Sequence, residues 1–259
     1  MKINFTKYQA TGNDFILIDN RSGNYTLTAE QVRHLCDRKF GIGADGIMLI
    51  ENHPVLDFNL VYYNSDGSQS LCGNGSRAAV HFASQLGIVT NKASFHAFDG
   101  EHRGELQTPD TIRIKLNDVS EIKNYNSDIF INTGSPHLVR FVEAVASFPV
   151  VEEGRKIRYS EVFAPQGGTN VNFVEQLDNN TLFVRTYERG VENETLSCGT
   201  GVTAAALAAA QEGYQSPVTI KTLGGNLRVE FSQQTTKPCF TDIYLIGPAK
   251  KVFAGEVEL

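Results

Sequence analysis

Nothing in this 259-residue chain is basic enough to hold nucleic acid or an anionic membrane. The net charge is -6, from 23 basic and 29 acidic residues, and no basic block occurs. No apolar run approaches the ~20 residues of a membrane span. The opening "MKINFTKYQATGNDF" lacks the apolar core of a signal peptide, so a cytoplasmic protein is expected. Only four cysteines are present, at 36, 72, 198 and 239, and no Cys-x-x-Cys spacing suggests a zinc ribbon or a redox pair. In a reducing compartment they are expected to be free thiols. The six histidines lack the H-x-x-x-H spacing, and G-x-S-x-G is missing, so neither a metal centre nor that type of serine hydrolase is expected. "GIGADG" (41–46) fits G-x-G-x-x-G, but a helical pattern precedes it and a strand pattern follows it. A dinucleotide site needs the reverse order. Those glycines read as a tight helix-to-strand connection.

What the chain does have is one element written twice. "SLCGNGSRAAVHFASQLG" and "LSCGTGVTAAALAAAQEG" align without a gap on Cys72 and Cys198, 126 residues apart, with eight of 18 pairs identical. The following segments also correspond, "FHAFDGEHRGEL" with "IKTLGGNLRVEF". A period this long excludes a solenoid and points to a duplicated domain. The expected fold is α+β: two similar domains, each a mixed β-sheet curled around one central helix. A pseudo-twofold axis would relate them, with the active site in the cleft between. The expected division is 1–118 plus 247–259 around Cys72, and 119–246 around Cys198.

Alternating apolar residues predict strands at "INFTKYQAT", "DFILIDN", "IMLIE", "FNLVYY", "ASFHAF", "GEL" and "TIRIKL". "TLTAEQVRHLCDRKF" reads as a helix with Thr28 as N-cap and Gln31 in the capping-box position. In the second half, strands are expected at "FINTG", "HLVRFVEAV", "TNVNFVEQL", "TLFVRTYERG", "VTIKT", "NLRVEF" and "CFTDIYLIG". A turn "DNN" joins the "TNVNFVEQL" and "TLFVRTYERG" strands, and "YSEVFAPQGG" reads as a short helix or turn. The stretch from Asn117 to Ser127 reads as the least structured. Cys36 and Cys239 read as small buried hydrophobes. "TAAALAAA" is apolar nearly all round and suits a helix enclosed by protein.

Each Cys-Gly-x-Gly element ends a turn and opens a helix. The free N–H groups there attract an anion, and a cysteine in that position has its thiolate stabilised. One such element could serve a cysteine hydrolase, which would need no repeat. Two of them suggest inversion at carbon: a thiolate removes a proton from one face and a thiol returns one to the other. Helix N-termini would hold the substrate carboxylate and stabilise the carbanion, and no cofactor is demanded.

These motifs closely resemble the diaminopimelate epimerases. "FTKYQATGNDF", "YYNSDGSQSLCGNGSR", "INTGSPHLV", "GGTNVNFV" and "ERGVENETLSCGTG" carry the likeness, which runs from Lys2 past Gly225. The resemblance implies a cofactor-independent, two-base epimerase interconverting LL- and meso-diaminopimelate, in lysine and peptidoglycan precursor biosynthesis. It implies Cys72 and Cys198 as the acid/base pair. Gly73, Asn74, Gly199 and Thr200 would bind the reacting carboxylate. Asn13, Asn64, Ser135, Asn170 and the Glu188–Arg189 pair would hold the rest of the substrate, with the arginine suited to the distal carboxylate. His137 and Glu188 would lie near the reacting amino group. A homodimer is implied, with no metal, and so is a C-terminal strand that crosses back to the first domain. Two positions depart from the family: Gly46, where many members have Gln, and Ser135, where many have Asn. The alternative is a proline or hydroxyproline racemase/epimerase, which typically has His where Asn74 stands and lacks "ERGVENET". A non-enzymatic, metabolite-binding relative would leave both cysteines expendable.

Overall fold

The computed structural model describes residues 2–178, 180–237 and 239–259. The chain forms two compact units, Met1–Ile114 with Gly247–Leu259, and Lys115–Ile246.

In the first unit, β1 (Lys2–Ala10), β2 (Asn13–Asp19), α1 (Ala29–Cys36), β3 (Gly46–Glu51) and β4 (Phe58–Asn64) precede α2 (Gly73–Gln85). Then come β5 (Lys92–Ala97), β6 (Gly100–Thr108) and β7 (Thr111–Lys115). The second unit holds β8 (Ile122–Tyr125), β9 (Asp128–Asn132), β10 (Pro136–Phe141), α3 (Val150–Arg158), β11 (Asn170–Leu177), β12 (Thr181–Glu188) and β13 (Asn193–Thr195). Next are α4 (Gly199–Ala210), β14 (Val218–Thr222), β15 (Gly225–Gln233) and β16 (Phe240–Pro248), whose last two residues already belong to the first unit. The last strand, β17 (Lys250–Glu258), pairs antiparallel with β1 and belongs to the first unit.

The two units repeat one strand order. β1 and β2 pair antiparallel, β2 and β3 parallel, β3 and β4 antiparallel, β4 and β5 parallel. The second unit answers with β9–β10 antiparallel, β10–β11 parallel, β11–β12 antiparallel and β12–β14 parallel. A parallel neighbour needs a crossover, and in both units a helix supplies it. α1 joins β2 to β3, α3 joins β10 to β11, and α2 and α4 make the later crossings.

Thr28 caps α1 as expected: its hydroxyl accepts from Gln31 N–H, and the Gln31 side chain accepts from the Thr28 N–H. The arrangement is worth about 1 kcal/mol. Val32, Leu35 and Cys36 then face Ile16, Ile18, Ile47 and Leu49 in one cluster. α2 buries ten residues, including Ala78, Ala79 and Val80 at 0% exposure. Every residue of α4 except Thr200 is buried, because alanines let strands close in on all sides.

Several expectations need correcting. α3 was not anticipated, nor were β8, inside the stretch read as least structured, and β13. The strand expected over 137–145 stops at Phe141, and Val145–Ser147 forms a short 3-10 helix. Residue 179 of the turn "DNN" lies outside the described residues. Cys36 is buried, and burial pushes its thiol up to about 12. Cys239 is only half-buried, and its Sγ donates to the Ser120 carbonyl oxygen at 3.3 Å.

Candidate active site

Cys72 and Cys198 hold the same local position, one in each unit. Each is the N-cap of its unit's central helix, with φ -129° and ψ 114° at Cys72 and φ -113° and ψ 113° at Cys198. Gly73 and Gly199 open the helices. Neither first turn holds an acidic residue, so no carboxylate there competes with an incoming anion for the N–H groups. The second glycine of each motif answers a packing need. A Cβ at Gly75 would strike the Met48 side chain. One at Gly201 would strike Asn172 Oδ1 and crowd the His137 ring.

Around Cys72, Sγ accepts from Gly75 N–H at 3.4 Å and donates to Asn13 Oδ1 at 3.5 Å. Asp45 fixes the Asn13 amide, since Nδ2 donates to Asp45 Oδ2 at 2.5 Å, which turns the amide oxygen to the sulfur. Asn74, 2% exposed, donates to the same oxygen at 3.4 Å. Beneath the helix start, Arg77 is wholly buried. It donates to Thr11 Oγ1 at 3.0 Å and to the Pro248 carbonyl at 3.4 Å. Burial pushes its guanidinium down to about 10, against the opposing pull of the Cys72 charge. The Asn64 amide Nδ2 donates to Ser68 and Ser70, so this residue knits the turn leading to Cys72.

Around Cys198, Thr200 Oγ1 lies 3.5 Å from Sγ and 2.9 Å from His137 Nε2. The Thr200 carbonyl accepts from Thr133 Oγ1 at 2.9 Å. His137 is fully buried, and burial first, then the Arg189 charge, push it down to about 3. It is therefore neutral throughout the physiological range. Asn170 donates to the Pro136 carbonyl at 2.9 Å, and its oxygen accepts from Arg189 N–H at 2.8 Å. Its carboxamide thus places the Arg189 backbone. Glu188, at the end of β12, accepts from Thr195 Oγ1 at 2.9 Å. Ser135 is half-buried in the turn before His137, and its carbonyl accepts from Thr133 N–H at 3.2 Å.

The structure therefore places Asn13, Asn64, Gly73 and Asn74 around Cys72 in one unit. It places Ser135, His137, Asn170, Glu188, Arg189, Gly199 and Thr200 in the other unit with Cys198. Gly46 leaves no vacancy: a Cβ there would collide with the Tyr62 ring and hydroxyl, so Tyr62 fills the space of a side chain at 46. Sequence reasoning missed Asp45, Arg77 and Asn172. Asn172 stands two residues beyond Asn170 on β11, and the period of two that puts both on one face was the available signal. Among the described residues, no three His, Cys, Asp or Glu side chains gather as metal ligands, and no helix is long and apolar enough to cross a membrane.

The fold is shared with solved structures of other proteins. A PhzF-family phenazine biosynthesis protein from Bacillus anthracis matches with a TM-score of 0.80 at 14% identity, covering 100% of both chains. A hydroxyproline epimerase from Agrobacterium vitis matches with a TM-score of 0.70 at 13% identity, covering 100% of this chain and 93% of that one. At such identities these likenesses speak for the fold alone. Sequence narrows the class. The diaminopimelate epimerase family model matches residues 5–119 and 129–252. Diaminopimelate epimerase from Flavobacterium psychrophilum is 49% identical over 251 residues, 95% of this chain and 97% of that protein. The enzyme of that name from Aquifex aeolicus is 41% identical over 276 residues, 98% and 97% of the two chains. This chain belongs to the diaminopimelate epimerase family.

Proposed function

We propose that the chain interconverts LL- and meso-diaminopimelate without a cofactor, with Cys72 and Cys198 as the two acid/base groups. The observation that carries this reading is the paired N-cap cysteines, on helices whose first turns hold no acid, in a chain 49% identical to a named diaminopimelate epimerase. One sulfur, as thiolate, removes the α-proton; the other, as thiol, protonates the opposite face of the same carbon. The N–H groups at Gly73, Asn74, Gly199 and Thr200 receive the charge that develops on the carboxylate. Arg189 meets the distal carboxylate, and Asn13, Asn64, Ser135, Asn170 and Glu188 take the remaining polar groups. Neutral His137 acts beside Cys198 as a hydrogen-bonding group, not as a cation. The reaction supplies the meso isomer to lysine and peptidoglycan precursor synthesis, in the cytoplasm, by a homodimer.

The test is isotope exchange in deuterated water. Deuterium should enter the α-carbon of diaminopimelate as LL and meso forms interconvert, and should not enter proline. Exchange into proline or hydroxyproline, with none into diaminopimelate, would replace this reading with the other two-cysteine class.

A further inference from the structure

The two units share a strand order, so their positions can be matched residue by residue. Phe15 on β2 pairs with Gly46 on β3, and His137 on β10 pairs with Asn170 on β11. Two residues on, Met48 corresponds to Asn172. Across the next strand Met48 pairs with Tyr62, and Asn172 pairs with Thr186. On the helices Asn74 corresponds to Thr200. The first unit thus puts Phe15, Met48 and Tyr62 under its cysteine motif, where the second puts His137, Asn172 and Thr186.

The polar set is joined end to end. Thr186 Oγ1 donates to Asn172 Oδ1 at 2.9 Å. Asn172 Nδ2 lies 3.2 Å from the Leu138 carbonyl oxygen and 3.1 Å from His137 Nδ1. A carbonyl oxygen can only accept, so Nδ2 is the atom facing it, and the same amide donates to Nδ1. An imidazole that accepts at Nδ1 and is neutral carries its proton on Nε2. That N–H points at Thr200 Oγ1, 2.9 Å away. The Thr200 hydroxyl hydrogen then has Cys198 Sγ as its partner, at 3.5 Å.

We propose that Asn172 is a positioning residue for the reaction: it fixes the His137 tautomer and so turns the Thr200 hydroxyl into a donor to the Cys198 thiolate. The proposal rests on the two-thiol reading above. A donor aimed at the sulfur favours its ionised form. At Cys72 the side chain in the corresponding place is different: Asn13 presents the sulfur an acceptor oxygen, and the donor to it is the Gly75 N–H. Other charges on the strands packed around α4 are engaged elsewhere. Arg140 pairs with Asp128, Arg185 with Glu194, Glu188 accepts from Thr195, and Glu175 accepts from Val145 N–H. Lys221, Arg228 and Glu230 alternate with the inward-facing Ile220, Leu227 and Val229 and so face away from α4. Arg189 is the charge that bears on His137, and it opposes a second proton on the ring.

The experiment joins imidazole nitrogen-15 NMR with the pH profile of iodoacetamide alkylation of Cys198, read in a Cys72→Ser background. The unsubstituted protein should show His137 protonated on Nε2 and bare at Nδ1. Asn172→Met, which installs the first unit's residue, should lose that single tautomer and move the Cys198 profile up by roughly one pH unit. In the protein with both cysteines it should lower kcat about tenfold while KM stays within about twofold. A proton on Nδ1 in the unsubstituted protein, or an unmoved Cys198 profile in Asn172→Met, overturns the proposal. If Asn172→Met does not fold, Thr200→Val is set against Thr200→Ser. Only the serine should keep the original profile, and equal profiles overturn the proposal. Failure of the two-thiol reading looks different: Cys198→Ser would then invert diaminopimelate at the full rate, whatever the tautomer.

Discussion

Asn13 Oδ1 and Cys72 Sγ lie 3.5 Å apart, with the amide held in that orientation by Asp45. An acceptor oxygen there receives the S–H hydrogen and so favours the thiol over the thiolate. Asn13→Asp would set a second carboxylate beside Asp45 and against the sulfur. Like charge disfavours the thiolate, so the alkylation profile of Cys72 should move up by roughly one pH unit or more. Epimerase kcat/KM at neutral pH should fall at least about tenfold. An unchanged alkylation profile would show that Asn13 does not govern this thiol.

The two second glycines of the Cys-Gly-x-Gly motifs should differ in tolerance. At Gly75 an added methyl meets the flexible end of Met48, which can swing aside. At Gly201 it meets Asn172, whose amide is tied by hydrogen bonds to Thr186, Leu138 and His137. Gly201→Ala should therefore cost about 2–3 kcal/mol, and Gly75→Ala about 1 kcal/mol or less. Denaturant titration of the two variants reads the difference, and equal costs would contradict it.

Asp14 links the stability of the first unit to pH. It pairs with Lys7 at 2.7 Å and Arg38 at 2.6 Å. Burial opposes its ionised form, but hydrogen bonds and charge from Arg38 and Lys7 outweigh burial and hold the carboxyl down to about 2. The folded value is depressed, so the stabilisation is complete above the unfolded value of about 4 and is lost as pH falls towards about 2. Asp14→Asn leaves the buried Lys7 ammonium without its carboxylate. It should cost about 3 kcal/mol at pH 7, and the gap to the unsubstituted protein should narrow between pH 4 and pH 2. A gap that stays constant across that range would contradict the linkage.

The rate should have a bell-shaped pH dependence, because one thiol must be ionised and the other protonated in the free enzyme. The two apparent values belong to the pair. Burial holds His137 down at about 3, so it supplies neither limb. A rate that climbs with pH to a plateau would argue against a thiol acid.

The candidate site was legible because the duplication survives in short, unusual motifs. A cysteine before Gly-x-Gly fixes both the N-cap and the helix start, and the structure places both there. Thr28 and Gln31 were readable for the same reason, since capping is local. α3 was not, because Gly154 interrupts its nine residues and Pro149 precedes it. Its glycine packs against Tyr187, a tertiary reason that no local pattern reveals. The charge order was nevertheless present, with Glu152 and Glu153 in the first turn and Arg155, Lys156 and Arg158 in the last. β8 and β13 are four and three residues long, too short for alternation to stand out. Asn172 was hidden inside "GGTNVNFV", since its hydrogen-bond partners lie 14 and 35 residues distant.

The central claim is that two thiols divide the inversion by face. It is tested most directly by following solvent deuterium into each stereoisomer by NMR, with Cys72→Ala and Cys198→Ala measured separately. Each variant should lose inversion, because one face has no proton carrier. The remaining thiolate should still exchange the α-proton of the one isomer that presents hydrogen to it, so Cys72→Ala and Cys198→Ala should label opposite members of the LL and meso pair. Inversion at the full rate in either variant, or labelling of the same isomer by both, would contradict the account.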